Sequence, residues 1–428
     1  MFQQIYERIV ILMNNVKVTV QDGLCLGCGV CEDICPQSCI HIERGRLNVP
    51  RVDEKACVDC GLCRKVCAGR EIEIEGRAKD LFGEAQQYHK MLGHYIKTYK
   101  GYSTEYENRF HCASGGCLSQ FLIWLLEKGI IDGAVVTKFK DGAPMTPQTF
   151  IARTKEEILS SKSSKYCVVS MNGILTEVKN IPGRYVVVGL PCHIHAIRKS
   201  MDVDKTIRER IVGCFAIYCS SNKTMDSQQY LLYRYGVDKN KLKYFAYRDN
   251  GCLGSMYFRD EEGQTIVEPI YYLDYYLGMR AFFSVSRCGL CNDFFGELSD
   301  VSFGDLNRGK ADDDPIGVNT LITRSKEWND LLLQCKEDGA LHLEHIDEES
   351  MVNAQGYCKA GKKGPGFYAN MNMRKFLGRP VPVYDNLLDI QPNVVDYIKV
   401  LASFIQRFIG KHKSLWPIIK KLDKNKKN

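Results

Sequence analysis

Eight cysteines in two copies of one spacing constrain this 428-residue chain more than any other feature. The first copy places Cys25, Cys28, Cys31 and Cys35 in a C-x-x-C-x-x-C-x-x-x-C run, and the second repeats it with Cys57, Cys60, Cys63 and Cys67. In such a run three closely spaced thiolates hold three irons of a cubane, while the fourth ligates the other cluster. The spacing therefore predicts two four-iron clusters, one on Cys25, Cys28, Cys31 and Cys67 and one on Cys57, Cys60, Cys63 and Cys35. Zinc needs only four ligands, usually as separated pairs, and has no use for a third cysteine at this spacing. Pro36 follows Cys35 as the pattern expects; Ala68 stands where a second proline would shape the turn without supplying a ligand. Cys39, outside the pattern, reads as a small buried hydrophobe.

The duplicated run predicts a small ferredoxin-like domain over residues 15–75, in which His41–Glu43 and Leu47–Val49 alternate like the short hairpin strands around such clusters. A composition of 45% hydrophobic and 25% charged residues leaves room for two or three globular domains. The twenty cysteines fall largely in metal-type groups, and no cleavable signal is evident, so a reducing cytoplasm is expected. The apolar run Ile9–Met13 is too short to span a bilayer and reads as a short strand or frayed arm, with Met13 a candidate start.

Beyond residue 76 the pattern changes to strands alternating with helices, the signature of an α/β domain whose ligands gather at the C-terminal ends of strands. Ser114, Gly115 and Gly116 open an apolar helix that ends at Gly129, followed by a strand over 131–139. Paired glycines at a helix start let amides approach an anion such as a nucleotide phosphate, although an ordinary helix cap has the same appearance. Residues 184–189 read as a buried strand, and Leu190-Pro191-Cys192 as the turn into a helix. Lys165 and Arg153 read as surface charges, and His193 and His195 as structural. A third strand, 210–219, ends on Cys219, and a C-x-x-C pair follows at Cys288 and Cys291. Together with Cys192 these make four thiolates that suit a third cluster, a zinc site or a redox dithiol.

This order of motifs, a two-cluster module, Ser-Gly-Gly at a helix start, Gly189-Leu-Pro-Cys192, Cys219, and Cys288-Gly-Leu-Cys291 leading to Ser302-Phe-Gly-Asp305, resembles the coenzyme F420 hydrogenase/dehydrogenase beta subunit family. The likeness runs from Cys25 to about residue 343 and implies an α/β (α+β) flavin and iron–sulfur domain over 76–350. It implies a third four-iron cluster on Cys192, Cys219, Cys288 and Cys291, and FAD held by Ser114, Gly115, Gly116, Lys165, Gly189 and Pro191. Leu190 stands where the family has a threonine, so one hydroxyl toward the cofactor is missing. Asp305 and Asp293 are candidates to bond flavin or substrate, and a helix cap is their ordinary alternative.

The expected function is an iron–sulfur flavoprotein oxidoreductase joining a hydride carrier to a one-electron carrier such as ferredoxin. The alternative is an electron-transfer subunit feeding a separate catalytic partner, and an iron–sulfur redox sensor is a weaker third reading. In the C-terminal extension, 351–428, Gly361–Gly366 reads as a loop and 394–409 as an amphipathic helix. Residues 407–428 carry eight lysines and arginines against one acid, Asp423. This tail suits an anionic inner membrane surface or an acidic partner, and equally a solvated surface. Because it supplies most of the net charge of +7, nucleic-acid binding is not expected.

Overall fold

Tyr185–Gly189 is buried at every residue, as a β-branched run must be when both faces of its sheet are covered. The computed structural model describes residues 14–83, 87–279, 281–306, 314–355 and 358–424; the run Ile9–Met13 and the last four residues of the basic tail lie outside them. Near the N-terminus, Ile40–Glu43 (β1) and Val49–Val52 (β2) pair as an antiparallel hairpin, its second strand starting two residues later than the Leu47–Val49 alternation suggests. The large sheet contains β3 (Lys97–Ser103), β4 (Gly133–Lys140), β5 (Ala143–Ala152), β6 (Tyr185–Gly189), β7 (Ile211–Ile217), β8 (Val301–Asp305), β9 (Asn319–Thr323) and β10 (Leu341–His345). Their order is β10-β3-β9-β8-β7-β6-β4-β5.

The four middle strands β8, β7, β6 and β4 are parallel, as the alternation of strands and helices implies. The flanks are antiparallel, which makes the sheet mixed. Pro144 and Pro147 in β5 cannot donate to a ladder, and an edge strand tolerates them. Asp141-Gly142 supplies the tight turn before β5, a hairpin signal the alternation argument passed over.

Apolar cores cover both faces. Helices Cys117–Glu127 (α3) and Lys326–Glu337 (α5) bring Phe121, Trp328 and Leu332 against Phe215 on one side. Helix Pro191–Val203 (α4) brings Ile194 and Ile197 against Val135 and Val187 on the other. Val30, Ile34 and Val66 of the cysteine-rich module join this second core. Asp33 locks the contact, accepting hydrogen bonds from the amides of Gly173 (2.6 Å) and Leu175 (2.8 Å).

Two parts depart from the sequence reading. A three-stranded antiparallel sheet, Tyr244–Asp249, Ser255–Arg259 and Ile270–Tyr271, is inserted between β7 and β8. The stretch read as a loop at 361–366 contains the end of a π-helical turn and the start of a helix, Pro365–Phe376, because proline at the first helical position has no amide to lose. Among the described residues no helix is long and apolar enough to cross a membrane.

Gly101 shows how closely the strands approach. A Cβ there would lie 2.2 Å from the carbonyl oxygen of His342 in β10. Gly101→Ala is therefore expected to cost about 1–3 kcal/mol, read as a lower denaturation midpoint by circular dichroism; an unchanged midpoint would mean that β10 shifts freely.

Candidate metal centres and cofactor edge

The two cysteine runs fold alike because each has glycine after its second cysteine. Gly29 (φ 82°) and Gly61 (φ 76°) adopt the left-handed conformation that starts the one-turn helices α1 (Val30–Asp33) and α2 (Leu62–Lys65). Each helix carries the third cysteine of its run, Cys31 or Cys63. One hollow is lined by Cys25, Cys28, Cys31 and Cys67, the other by Cys35, Cys57, Cys60 and Cys63. Three thiols in each come from one run and the fourth from the other, which is the crossed grouping expected from the spacing. Burial, then the neighbouring Cys67 thiol, pushes Cys25 and Cys28 up to about 12.

Amides point at the sulfurs: Val16 N–H donates to Cys63 Sγ and Gly69 N–H to Cys67 Sγ, both at 3.3 Å. Cys39 is buried, as read, but it also lines the second hollow with its sulfur 3.3 Å from that of Cys35. Ala68 is buried too, and the turn after Cys67 keeps its amide contact without the proline.

Cys192, Cys219, Cys288 and Cys291 also meet. The β6–β7 register sets Gly189 beside Ala216, so Cys192 in the first turn of α4 and Cys219 after β7 leave adjacent strand ends. Cys288 sits on the short helix Ser286–Leu290, with Cys291 just after it. The Cys192 thiol is held well above its ordinary range, first by burial and then by Cys219, Cys291, Cys28 and Cys288. Burial pushes Cys219 to about 12, opposed by Lys362 and reinforced by Cys288 and Cys291. Asn222 N–H donates to Cys288 Sγ at 3.4 Å.

The three thiol sets border one another. Cys31 is influenced by Cys63 of the second hollow, and Cys192 by Cys28 of the first. Buried Arg287 bridges the first and third sets, donating to the carbonyls of Gly69 (3.1 Å) and Leu290 (2.6 Å). At the far end, Cys60 is exposed and Val58 beside it protrudes. Among the described residues no three His, Cys, Asp or Glu side chains converge to hold a single metal ion; the thiols of the first two sets line hollows instead.

The residues expected at the flavin all lie toward the C-terminal ends of the parallel strands. Ser114 Oγ–H donates to the Val318 carbonyl (2.8 Å), and Cys117 N–H at the start of α3 donates to Asn319 Oδ1 (2.9 Å), beside the end of β8. A Cβ on Gly115 would lie 2.8 Å from the Gly101 carbonyl oxygen, so no larger residue fits there. Gly189 and Pro191 sit two strands away, at the end of β6 beside the first and third thiol sets. The half-buried Lys165 ammonium donates to the carbonyls of Ser161, Lys162 and Ser163 at 2.6–3.0 Å, and burial lowers it to about 7. These contacts direct it to shaping its own loop.

Three polar groups escaped the sequence reading. Arg248, from the inserted sheet, is buried and donates to Asp305 Oδ2 (2.8 Å) and the Leu253 carbonyl (2.6 Å), with its guanidinium 4.7 Å above the Tyr272 ring. Its Nη2 has no hydrogen-bond partner among the described residues, and Tyr166, Tyr272 and Tyr276 pack beside it. The dense Tyr271–Tyr276 run was the available signal. The other two, Glu297 and Lys363, form a buried ion pair at 2.7 Å. The histidines are structural as read: His193 is buried and lowered to about 4 by that burial, and His195 bonds buried Asp293 at 2.9 Å. Arg153 forms a surface ion pair with Glu177 at 3.3 Å.

Family models described as coenzyme F420 hydrogenase/dehydrogenase beta subunit N-term and C terminus match residues 98–176 and 183–349. The coenzyme F420-dependent sulfite reductase of Methanocaldococcus jannaschii is 24% identical over 79% of this chain, which spans 50% of that protein's length. The coenzyme F420 hydrogenase subunit beta of Methanosarcina barkeri is 24% identical over 60% of this chain and 84% of its own, and that of Methanococcus voltae 25% over 68% and 99%. A chain of the F420-reducing nickel–iron hydrogenase complex from Methanosarcina barkeri, solved as a xenon derivative, shares the fold with a TM-score of 0.53 at 20% identity, covering 69% of this chain and 98% of its own.

Proposed function

The chain belongs to the coenzyme F420 hydrogenase/dehydrogenase beta subunit family, and from that premise we propose that it is an iron–sulfur flavoprotein oxidoreductase passing electrons between a hydride carrier and a ferredoxin-type one-electron carrier. FAD, when bound, exchanges electrons as a hydride pair, and four-iron clusters exchange them singly, so together they join two classes of carrier. Cys25, Cys28, Cys31 and Cys67 hold one cluster, Cys35, Cys57, Cys60 and Cys63 a second, and Cys192, Cys219, Cys288 and Cys291 a third. The observation that carries this reading is the adjacency of the thiol sets: Cys31 and Cys63 share one buried cluster, and Cys28 packs on the cluster formed by the helix that carries Cys192. At the first two sets the thiols line hollows instead of closing on one point, as four zinc ligands would.

The chain's own groups tune and terminate these sets. The amides of Val16, Gly69 and Asn222 hydrogen-bond sulfurs and so stabilise the more negative state of each centre. Exposed Cys60 marks the face where a one-electron carrier docks. At the other end, the Nη2 of Arg248, which has no hydrogen-bond partner among the described residues, would donate to an anionic or carbonyl group of FAD, alongside Ser114, Gly115 and Gly116. Lys165, Gly189 and Pro191 support the cofactor loops. The hydride donor is reduced coenzyme F420 or a related carrier, in keeping with the names of the relatives.

A second reading has its own support: two relatives are hydrogenase subunits and the similar solved chain comes from a hydrogenase complex. The chain would then be an electron-transfer subunit serving a catalytic partner. Anaerobic purification with iron, sulfide and flavin analysis tests what both readings share, and about twelve irons and one FAD per chain are expected. About eight irons with stoichiometric zinc would remove the third cluster. Arg248→Met is expected to keep its iron and bind FAD about 10- to 100-fold more weakly, as loss of a charged hydrogen bond does. Flavin bleaching by reduced F420 in the isolated chain separates enzyme from relay, since a relay bleaches only with its partner present.

A further inference from the structure

Helix Val394–Lys411 (α6) is packed against the protein by its polar and small side and turns its apolar side outward. A capping box starts it: Asn393 Oδ1 accepts from Asp396 N–H (3.2 Å), and Asp396 Oδ2 accepts from Asn393 N–H (3.0 Å). Asp396, Val400 and Gly410 are buried, and a Cβ on Gly410 would meet the Phe282 carbonyl. Gln406 accepts from the Ala281 amide, and Trp416 of the following helix α7 (Trp416–Lys424) donates to the Gly410 carbonyl at 3.0 Å. The placement of α6 is therefore determined by contacts on its inner side.

The outer side carries Val394 (74% exposed), Ile398 (58%), Leu401 (48%), Ile405 (62%) and Phe408 (60%), spaced four, three, four and three residues apart. Val395 and Phe404 widen this stripe, and Ile418 and Leu422 of α7 are exposed as well. No charged residue interrupts it. Exposed Lys399 and Lys411 lie at its two margins, with exposed Lys413 and Lys421 beyond its C-terminal end.

We propose that this face is a docking surface for an anionic lipid bilayer, with α6 lying in the interfacial plane and its lysines reaching the headgroups. Large exposed apolar residues on one face with basic margins are the pattern of an in-plane amphipathic helix, and lysine stems extend along apolar surface while their ammonium groups stay at the polar boundary. A helix of this length covers about 27 Å of surface without crossing it. A second copy of the chain fits less well. In a coiled-coil pairing on the same stripe, the flanking positions are Val395, Tyr397, Phe404, Ala402, Ile409 and Lys411, which offer no acid to pair with the lysine.

Flotation of the full-length, cofactor-loaded protein tests the proposal, using vesicles of equal parts phosphatidylglycerol and phosphatidylcholine against pure phosphatidylcholine. Binding to the anionic vesicles is expected to exceed binding to the neutral ones at least tenfold and to fall at about 0.5 M salt. The double substitution Ile398→Glu and Ile405→Glu is expected to abolish it while leaving the visible spectrum and thermal midpoint unchanged, since both side chains are exposed. Absence of flotation, equal binding to neutral vesicles, or full binding by the doubly substituted protein would each overturn the proposal. So would a concentration-dependent dimer that the same substitutions dissolve, because a second copy would then be the occupant.

Discussion

Cys192→Ser is expected to lower the iron content from about twelve to about eight per chain while leaving the spectrum of the two N-terminal clusters in place. Cys192 stands between Cys28 of the first set and Cys219, Cys288 and Cys291 of its own, so its loss breaks the line where the α/β domain meets the cysteine-rich module. Hydride uptake by FAD should persist, because Arg248 and Ser114 lie at other strand ends. Delivery to a one-electron acceptor should fall by about two orders of magnitude or more, beyond the 10- to 100-fold of an outer-sphere change. Iron analysis, low-temperature paramagnetic resonance and paired assays with hydride and single-electron acceptors check this. Cys335→Ser, in the apolar core away from all three sets, should leave iron unchanged. If Cys192→Ser retains every iron and both rates, the third set is not a cluster site.

Lys363→Met should be the most destabilising single change outside the cysteines. Glu297 and Lys363 are paired at 2.7 Å with side chains only 2% and 4% exposed, and removing one partner of a buried pair costs about 3–5 kcal/mol. Burial already raises the Glu297 carboxyl from 4.5 to about 7 against the pull of Lys363. A carboxyl raised in the folded state binds more protons folded than unfolded, so its contribution to stability falls as pH rises from about 4.5 through about 7. Without the lysine that window extends upward: Lys363→Met should be least stable near pH 8 and recover toward pH 5. Glu297→Met combined with Lys363→Met should restore most of the loss, since two apolar groups replace the pair. Denaturation midpoints against pH decide the matter; a loss independent of pH would assign the effect to packing instead.

Periodicity revealed the middle of the large sheet because buried parallel strands and their covering helices leave strong, local patterns, as at Val186–Val188 and Ile194–Ile197. It missed β5, whose prolines disguise an edge strand, and the inserted sheet, whose strands are short and whose first pairing is broken by a register shift between Ala246 and Asp249. It assigned Lys165 and Gly115 by type and position; the structure adds that the Lys165 ammonium bonds carbonyls of its own loop and that Gly115 lies against Gly101 and Asn319. Arg248 could not be found that way: an arginine on a short strand looks like surface until Asp305 and Tyr272 are folded against it.

The grouping of the first eight cysteines was determined by sequence alone, because ligand spacing within one turn of chain is a local geometric property and the run occurs twice. Bringing Cys192, Cys219, Cys288 and Cys291 together was decided by tertiary structure, through the β6–β7 register that sets two strand ends side by side. The order of the three sets was decided there too, by burial of Val30, Ile34 and Val66 against α4, a contact between segments more than a hundred residues apart. Spacing states which thiols can share a centre; only packing states which centres are neighbours.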